Sequence, residues 1–296
     1  MKKVALLIAL VMVLVMVVPA AAITYGEPDE GEHPYVGLMI FFDAVYDYPN
    51  GGWFSCSGAL LDSKTLLTAG HCTIDVGTDL QVTPGGFGGR DMWVTFEEVD
   101  VLAGFPSSAD YPDPADKNEA RFEWLQKNKT FIRGTSWPHP EYGYGFPNTR
   151  DVGIVVLDKP AKAKSFVELP ELGVLDELAT RRGHNKQLFE TSGYGIQEIV
   201  PFFQSEDSRY KATSSLVELG SALTDGYNLH TSNNPGKGNG IGGACFGDSG
   251  GPVMFNNTNI VVAVVSFGLN YNCKGADYGY RVDISESQDF ILPFLD

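Results

Sequence analysis

The chain alternates short apolar runs with clusters of Gly, Pro, Asn and Asp, and this punctuation bounds the fold more tightly than any other feature. Val36-Gly37-Leu38-Met39-Ile40-Phe41-Phe42, Trp53 to Leu61, Thr65 to Ala69, Asp151 to Leu157 and Ile260 to Gly268 are of strand length, and polar turns separate them. Short strands of this kind predict an all-β chain folded as a closed antiparallel barrel or a sandwich. No parallel βαβ pattern appears. Helix is expected twice. Asp113-Pro114 can cap and begin one over Pro114 to Asn128, with Ala120, Phe122 and Leu125 as a rough apolar face. Ser285-Glu286-Ser287-Gln288 has the capping-box pattern and opens a short terminal helix that Pro293 shortens.

Lys2 and Lys3, the uncharged run Val4 to Val18 and the small residues Pro19-Ala20-Ala21-Ala22 have the three-part layout of a secretory signal. The competing reading is an uncleaved anchor, for which the run is short against a span of about 20 residues. Residues 1–22 are therefore expected to be removed, leaving 23–296 extracellular and without stable membrane association. The formal charge of −16 argues against nucleic acid, whose phosphates need Lys/Arg clusters. Acidic groups such as Glu27, Asp29, Asp110 and Asp113 are expected to be solvated surface. No loop has a recognisable metal-ligand spacing, so no metal and no cofactor is expected, with calcium at one of the acidic clusters the minor alternative. Four cysteines in a secreted chain suggest two disulfides, with three pairings open.

Gly247-Asp248-Ser249-Gly250-Gly251-Pro252 places a hydroxyl between glycines, where a substrate backbone can come close. Such a stretch is commonly just a turn before a strand. Two further stretches change its weight. Thr68-Ala69-Gly70-His71-Cys72 offers a base for the poorly nucleophilic serine, and Asp151-Val152-Gly153 offers an acid to orient that base.

In the order His, Asp, Ser along the chain, these segments resemble a trypsin/chymotrypsin-type serine protease. Other folds that carry this chemistry arrange their triads in different orders. His139-Pro140-Glu141-Tyr142 before the acid strengthens the match, as does Thr191-Ser192-Gly193-Tyr194-Gly195 with Tyr194 in place of the usual Trp. The resemblance implies two antiparallel six-stranded β-barrels packed together, the first over about 36–158 and the second over about 186–284, with the Pro114 helix as an insertion in the first. It makes Ser249 the nucleophile, His71 the base and Asp151 its orienting acid, and it gives the oxyanion hole to the N–H groups of Gly247 and Ser249. It pairs Cys56 with Cys72 and Cys245 with Cys273. Ile23-Thr24-Tyr25-Gly26 resembles the start of an activated member, so the Ile23 α-amino group is expected to pair with Asp248 once the leader is cut.

For substrate binding the resemblance points to Gly243 at the pocket base, to the edge Ser266-Phe267-Gly268, and to Asp277 as an acid able to attract Lys or Arg. The segment Lys274 to Tyr280 departs from the family pattern, and a solvated loop carboxylate is the alternative for Asp277. Polypeptide substrates and protein inhibitors are the implied partners, and a monomer the implied state. The expected function is secreted serine endopeptidase. Its alternative is a catalytically inactive secreted homologue acting as a binding module, although all three triad residues are present.

Overall fold

A computed structural model describes residues 23–78, 81–83, 86–178, 187–201, 203–234 and 242–295. The leader expected over 1–22 lies outside them, as does the stretch just before the second barrel up to Lys186.

The chain enters through a two-residue strand, β1 (Glu27–Pro28), and then lays down β2 (Val36–Asp43), β3 (Gly52–Leu60) and β4 (Thr65–Thr68). A small hairpin of β5 (Gln81–Thr83) and β6 (Gly86–Gly88) precedes β7 (Met92–Thr95), β8 (Ile132–Pro138) and β9 (Gly153–Leu157). Six of these strands close on themselves in the order β2-β3-β4-β9-β8-β7, each pair antiparallel. Closure leaves no free strand edge, which suits runs as apolar as β2, where every residue from Val36 to Phe42 is buried.

The second barrel uses β10 (Leu188–Gly193), β11 (Tyr210–Glu218), β12 (Asn228–Asn233), β13 (Pro252–Phe255), β14 (Val261–Gly268) and β15 (Gly275–Arg281). They run β11-β10-β13-β14-β15-β12, the ring closes by pairing of β11 with β12, and β1 adds to the outside of β11. The fold is thus all-β, two six-stranded antiparallel barrels packed together. One apolar cluster spans both, joining Leu38, Leu66 and Ile154 to Tyr194, Met254 and Tyr280, and a second around Phe189, Leu229 and Val262 fills the second barrel. Each such side chain contributes roughly 1.5–3 kcal/mol through burial.

Helix α1 (Pro114–Lys127) begins as the sequence predicts, with the Asp113 carboxylate accepting from the N–H groups of Ala115 and Asp116 at 2.8 and 3.4 Å. Aromatic packing docks it onto the first barrel. The Phe122 ring lies 4.8 Å from Trp53, 5.3 Å from Phe42 and 5.7 Å from Trp93. Trp53 Nε1 donates to Asn118 Oδ1 at 2.9 Å, and the Arg121 guanidinium covers the Phe105 ring at 4.7 Å. Helix α2 (Ser285–Ile291) follows β15 as expected, but its capping box is unused. Ile284 is the cap residue and Ser285 is already helical, while the Ser287 hydroxyl turns back to the Arg281 carbonyl at 2.6 Å.

A buried ionic knot ties the entering segment to the second barrel. Asp29 accepts from Arg209 Nε at 2.9 Å, the His33 backbone N–H at 3.0 Å and Ser192 Oγ at 3.2 Å, and it faces His33 Nδ1 at 2.5 Å. The far nitrogen of His33 meets Glu190 Oε1 at 3.0 Å. Burial alone would pull the His33 pKa down. Asp29 and Glu190 outweigh it and hold the value near 9, while His33 and Arg209 keep Asp29 well below the usual carboxylate range against its own burial.

Candidate active site

His71 sits in a single 3₁₀ turn, Gly70–Cys72, that follows β4, and Asp151 immediately precedes Val152 and β9, which pairs with β4. This register sets the two side by side. Asp151, 4% exposed, accepts from the His71 backbone N–H at 2.8 Å and faces His71 Nδ1 at 2.9 and 3.1 Å from its two oxygens. An ionised carboxylate only accepts, so Nδ1 carries the proton and neutral His71 keeps Nε2 as its free lone pair. Burial lowers the His71 pKa, yet the Asp151 charge and hydrogen bond outweigh it and leave the value above its ordinary one. For Asp151, burial works upward and is overcome by His71 and by the Ser266 hydroxyl, which donates to Oδ2 at 2.5 Å.

Ser249 lies on the loop between Cys245 and β13. It lines one cleft together with His71 and Gly247. Its carbonyl accepts from the Ser57 N–H at 2.8 Å, and its hydroxyl forms no hydrogen bond among the described residues. The N–H groups of Gly247 and Ser249 are likewise without a hydrogen-bond partner among the described residues. Gly247 has φ of +98°, and an added Cβ would come 2.9 Å from Gly195 Cα, so only glycine suits this turn. Its carbonyl is pinned by the Ser57 hydroxyl at 2.9 Å, and that hydroxyl also accepts from the Tyr194 N–H at 3.0 Å. Ser57 is a supporting residue that sequence reasoning passed over. Its one signal was its place beside Cys56. Both disulfides expected from the resemblance are present, Cys56–Cys72 behind His71 and Cys245–Cys273 beside the Ser249 loop.

On one side of Ser249 opens a cavity of about 410 Å³, lined by Ser266, Gly268 and Asp277, with Phe246 and Tyr271 stacked face to face at 6.2 Å among its walls. Pairing of β14 with β15 and of β15 with β12 fixes Asp277 against Gly268 and Thr231. Asp277 accepts from the Ala244 N–H at 2.8 Å and from Asn233 Nδ2 at 3.1 Å, and an added Cβ on Gly243 would lie 2.0 Å from Asp277 Oδ2. Gly243 and Asp277 therefore meet, despite the irregular sequence between Lys274 and Tyr280. Asp277 sits in strand β15, part-buried at the cavity wall and not in a solvated loop, and its desolvation there raises its pKa to about 7 against the pull of Asn233 and Ala244. Of the residues assigned to substrate, Ser266 lines the cavity but turns its hydroxyl to Asp151.

Both residues of the expected activation pair are buried. Asp248 is fully buried and accepts from the N–H groups of Gly195 and Cys245 at 2.8 and 2.9 Å. Burial raises its pKa to about 7, Asp277 adds to the rise, and the two N–H bonds only partly offset it. No cation pairs with it among the described residues. Ile23 is itself fully buried against Tyr210 and Ala212, and Thr24 bridges to Gly243, two residues before Cys245.

Two antiparallel barrels beside a cleft lined by His71 and Ser249, with Asp151 bound to His71, define a serine protease architecture, and comparison with known proteins agrees. The trypsin family model matches residues 120–291, more than half of the chain, and the chain belongs to that family of serine proteases. It is 28% identical over 240 residues to the phenoloxidase-activating enzyme of Bombyx mori, covering 72% of this chain and 48% of that protein. It is 25% identical over 274 residues to CLIP domain-containing serine protease B15 of Anopheles gambiae, covering 85% of this chain and 64% of the other. The chain thus spans about half to two thirds of the length of these relatives. Glandular kallikrein of Sus scrofa is 26% identical over 220 residues, covering 72% of this chain and 74% of its own. Among solved structures HL collagenase shares the fold with a TM-score of 0.60 at 16% identity, over 93% of this chain and 96% of its own. Among the described residues no helix is long and apolar enough to cross a membrane.

Proposed function

We propose that residues 23–296, released by removal of 1–22, act as a secreted endopeptidase that splits peptide bonds through Ser249, His71 and Asp151. The observation that carries this is the two-oxygen grip of Asp151 on His71 Nδ1, which leaves Nε2 as the only basic site on a ring sharing a cleft with Ser249. Ser249 Oγ attacks the carbonyl carbon as its proton passes to Nε2. The oxygen of the tetrahedral intermediate takes its negative charge to the N–H groups of Gly247 and Ser249. His71 then protonates the departing amine as the carbon–nitrogen bond breaks, and an acyl-enzyme remains for water to cleave by the same relay.

The cavity on the acyl side takes the residue before the scissile bond. Asp277, part-buried in the cavity wall and without a cation among the described residues, favours Lys or Arg there through charge pairing. Asp248 is the matching buried acid for the Ile23 α-amino group, and their pairing would hold the Gly247 to Ser249 loop in place. Incubation of the mature protein with a fluorophosphonate tests the catalytic reading. It should label Ser249 and fail to label Ser249→Ala; absence of labelling would instead favour the catalytically inactive binding module.

A further inference from the structure

The cleft also continues on the far side of Ser249, and it is larger there. A cavity of about 710 Å³ starts at His71, Gly247 and Ser249 and extends to Asp43 at the end of β2 and Asp207 near the start of β11. Phe41, Phe54, Ile74, Leu102 and Ile196 give it a largely apolar wall, and among the described residues no Lys or Arg lines it. Phe54 is 37% exposed, as a wall awaiting cover would be.

The charge at its two ends is of one sign and comes in pairs. Asp207 stands close enough to Asp100 that burial and the neighbouring carboxylate together raise its pKa, and Asp75 is raised in the same way by burial and Asp43. None of these four carboxylates makes an ion pair among the described residues. Asp43 spends one oxygen on the N–H groups of Val45 and Tyr46 at 2.8 and 3.0 Å, and the other remains open. Two like charges held together cost free energy that a cation between them relieves.

With the acyl half of a substrate assigned to the cavity at Asp277, the half that leaves has this cleft to lie in. We propose that it selects polypeptides carrying an apolar residue directly after the scissile bond and a Lys or Arg within the next few positions, where the basic group reaches Asp43 or Asp207. Continuity with the nucleophile and complementarity of charge identify the occupant as the leaving-group segment, and this inference rests on the protease reading. The chain's formal charge of −16 steers the same cationic segments toward the cleft.

Acyl transfer tests the idea with the acyl side already filled. One acyl donor is offered with Leu-Arg-amide, Leu-Gln-amide or Leu-Glu-amide as competing acceptors, and partition between hydrolysis and transfer is read by mass spectrometry. Leu-Arg-amide should capture the acyl group at least tenfold better than Leu-Glu-amide. The double variant Asp43→Asn/Asp207→Asn should shrink that ratio to within twofold, and Asp207→Lys should turn it toward Leu-Glu-amide. Equal capture of all three acceptors, or an Arg preference surviving the double variant, overturns the proposal. Fluorescence anisotropy of labelled hexapeptides of the same contrast, bound to Asp277→Asn so that the other cavity cannot report, gives an answer even without turnover. Fluorophosphonate labelling of the same preparation separates the two failures. Labelling without Arg preference sinks the cleft assignment alone, and Arg preference without labelling sinks the catalytic one.

Discussion

At Asp151 three donors converge on one carboxylate, and the consequence falls on His71. A base must be neutral to accept the serine proton, and Asp151 favours the protonated ring, so His71 titrates above its ordinary 6.5. We therefore expect kcat/KM to fall as the pH is lowered through a value above 6.5, with a slope of one proton; activity undiminished at pH 5 would refute this. Asp151→Asn presents an amide that can donate to Nδ1 and so favours the wrong tautomer, which should cost about 10⁴-fold in kcat. The Ser266 hydroxyl is a positioning group for Asp151 that also disperses its charge, so Ser266→Ala should lower the height of the profile while moving its apparent pKa up. Asp277 sets a separate test. Asp277→Asn should cut kcat/KM for Arg and Lys peptides by about 100-fold, roughly 3 kcal/mol, while sparing Leu and Phe peptides. Equal losses on both kinds of peptide would return Asp277 to a structural role.

Elements divide by how local their causes are. The strands were legible because their apolar runs fit strand length, and so was the start of α1, where Asp113 and Pro114 act within one turn. What the sequence hid were contacts between distant segments: Ser57 under the Gly247 loop, the Asp29 knot, and the meeting of Gly243 with Asp277, which depends on β12, β15 and the Ala244 N–H together. The capping box before α2 failed for a related reason, since Ser285 is already helical and Gln288, the box's other member, donates to the distant Pro170 carbonyl. The insertion helix offers a measurable contrast between these two kinds of cause. Asp113→Ala removes an exposed cap worth about 1 kcal/mol. Phe122→Ala withdraws a ring from Phe42, Trp53 and Trp93 and should cost about 3 kcal/mol in urea unfolding. A larger loss at Asp113 than at Phe122 would mean that the helix is held by its own propensity and not by the barrel.

For the molecule as a whole, buried titrating groups make stability depend on pH in a direction that the state of the chain's beginning should alter. Asp29 is held below its unfolded value of 3.8, so its contribution is present above that pH and lost beneath it. His33, raised to about 9, contributes fully below 6.5 and loses its contribution as the pH climbs to 9. Asp248 and Asp277, raised from 3.8 to about 7, favour folding most when protonated, and their contribution is lost as the pH rises through 7. With Asp248 unpaired, stability should peak near pH 4 to 5 and decline toward 9. If the free Ile23 α-amino group pairs with Asp248 as proposed, it would change this by supplying the cation that lets the buried acid stay ionised. A chain beginning at Ile23 should therefore decline less between pH 4.5 and 7.5 than one retaining the residues before it, by an amount on the order of 4 kcal/mol if Asp248's whole displacement is relieved. Above pH 8 the advantage should fade as the amine itself deprotonates. Urea midpoints of the two forms across this range measure the difference, and parallel curves would remove Asp248 from any partnership with Ile23.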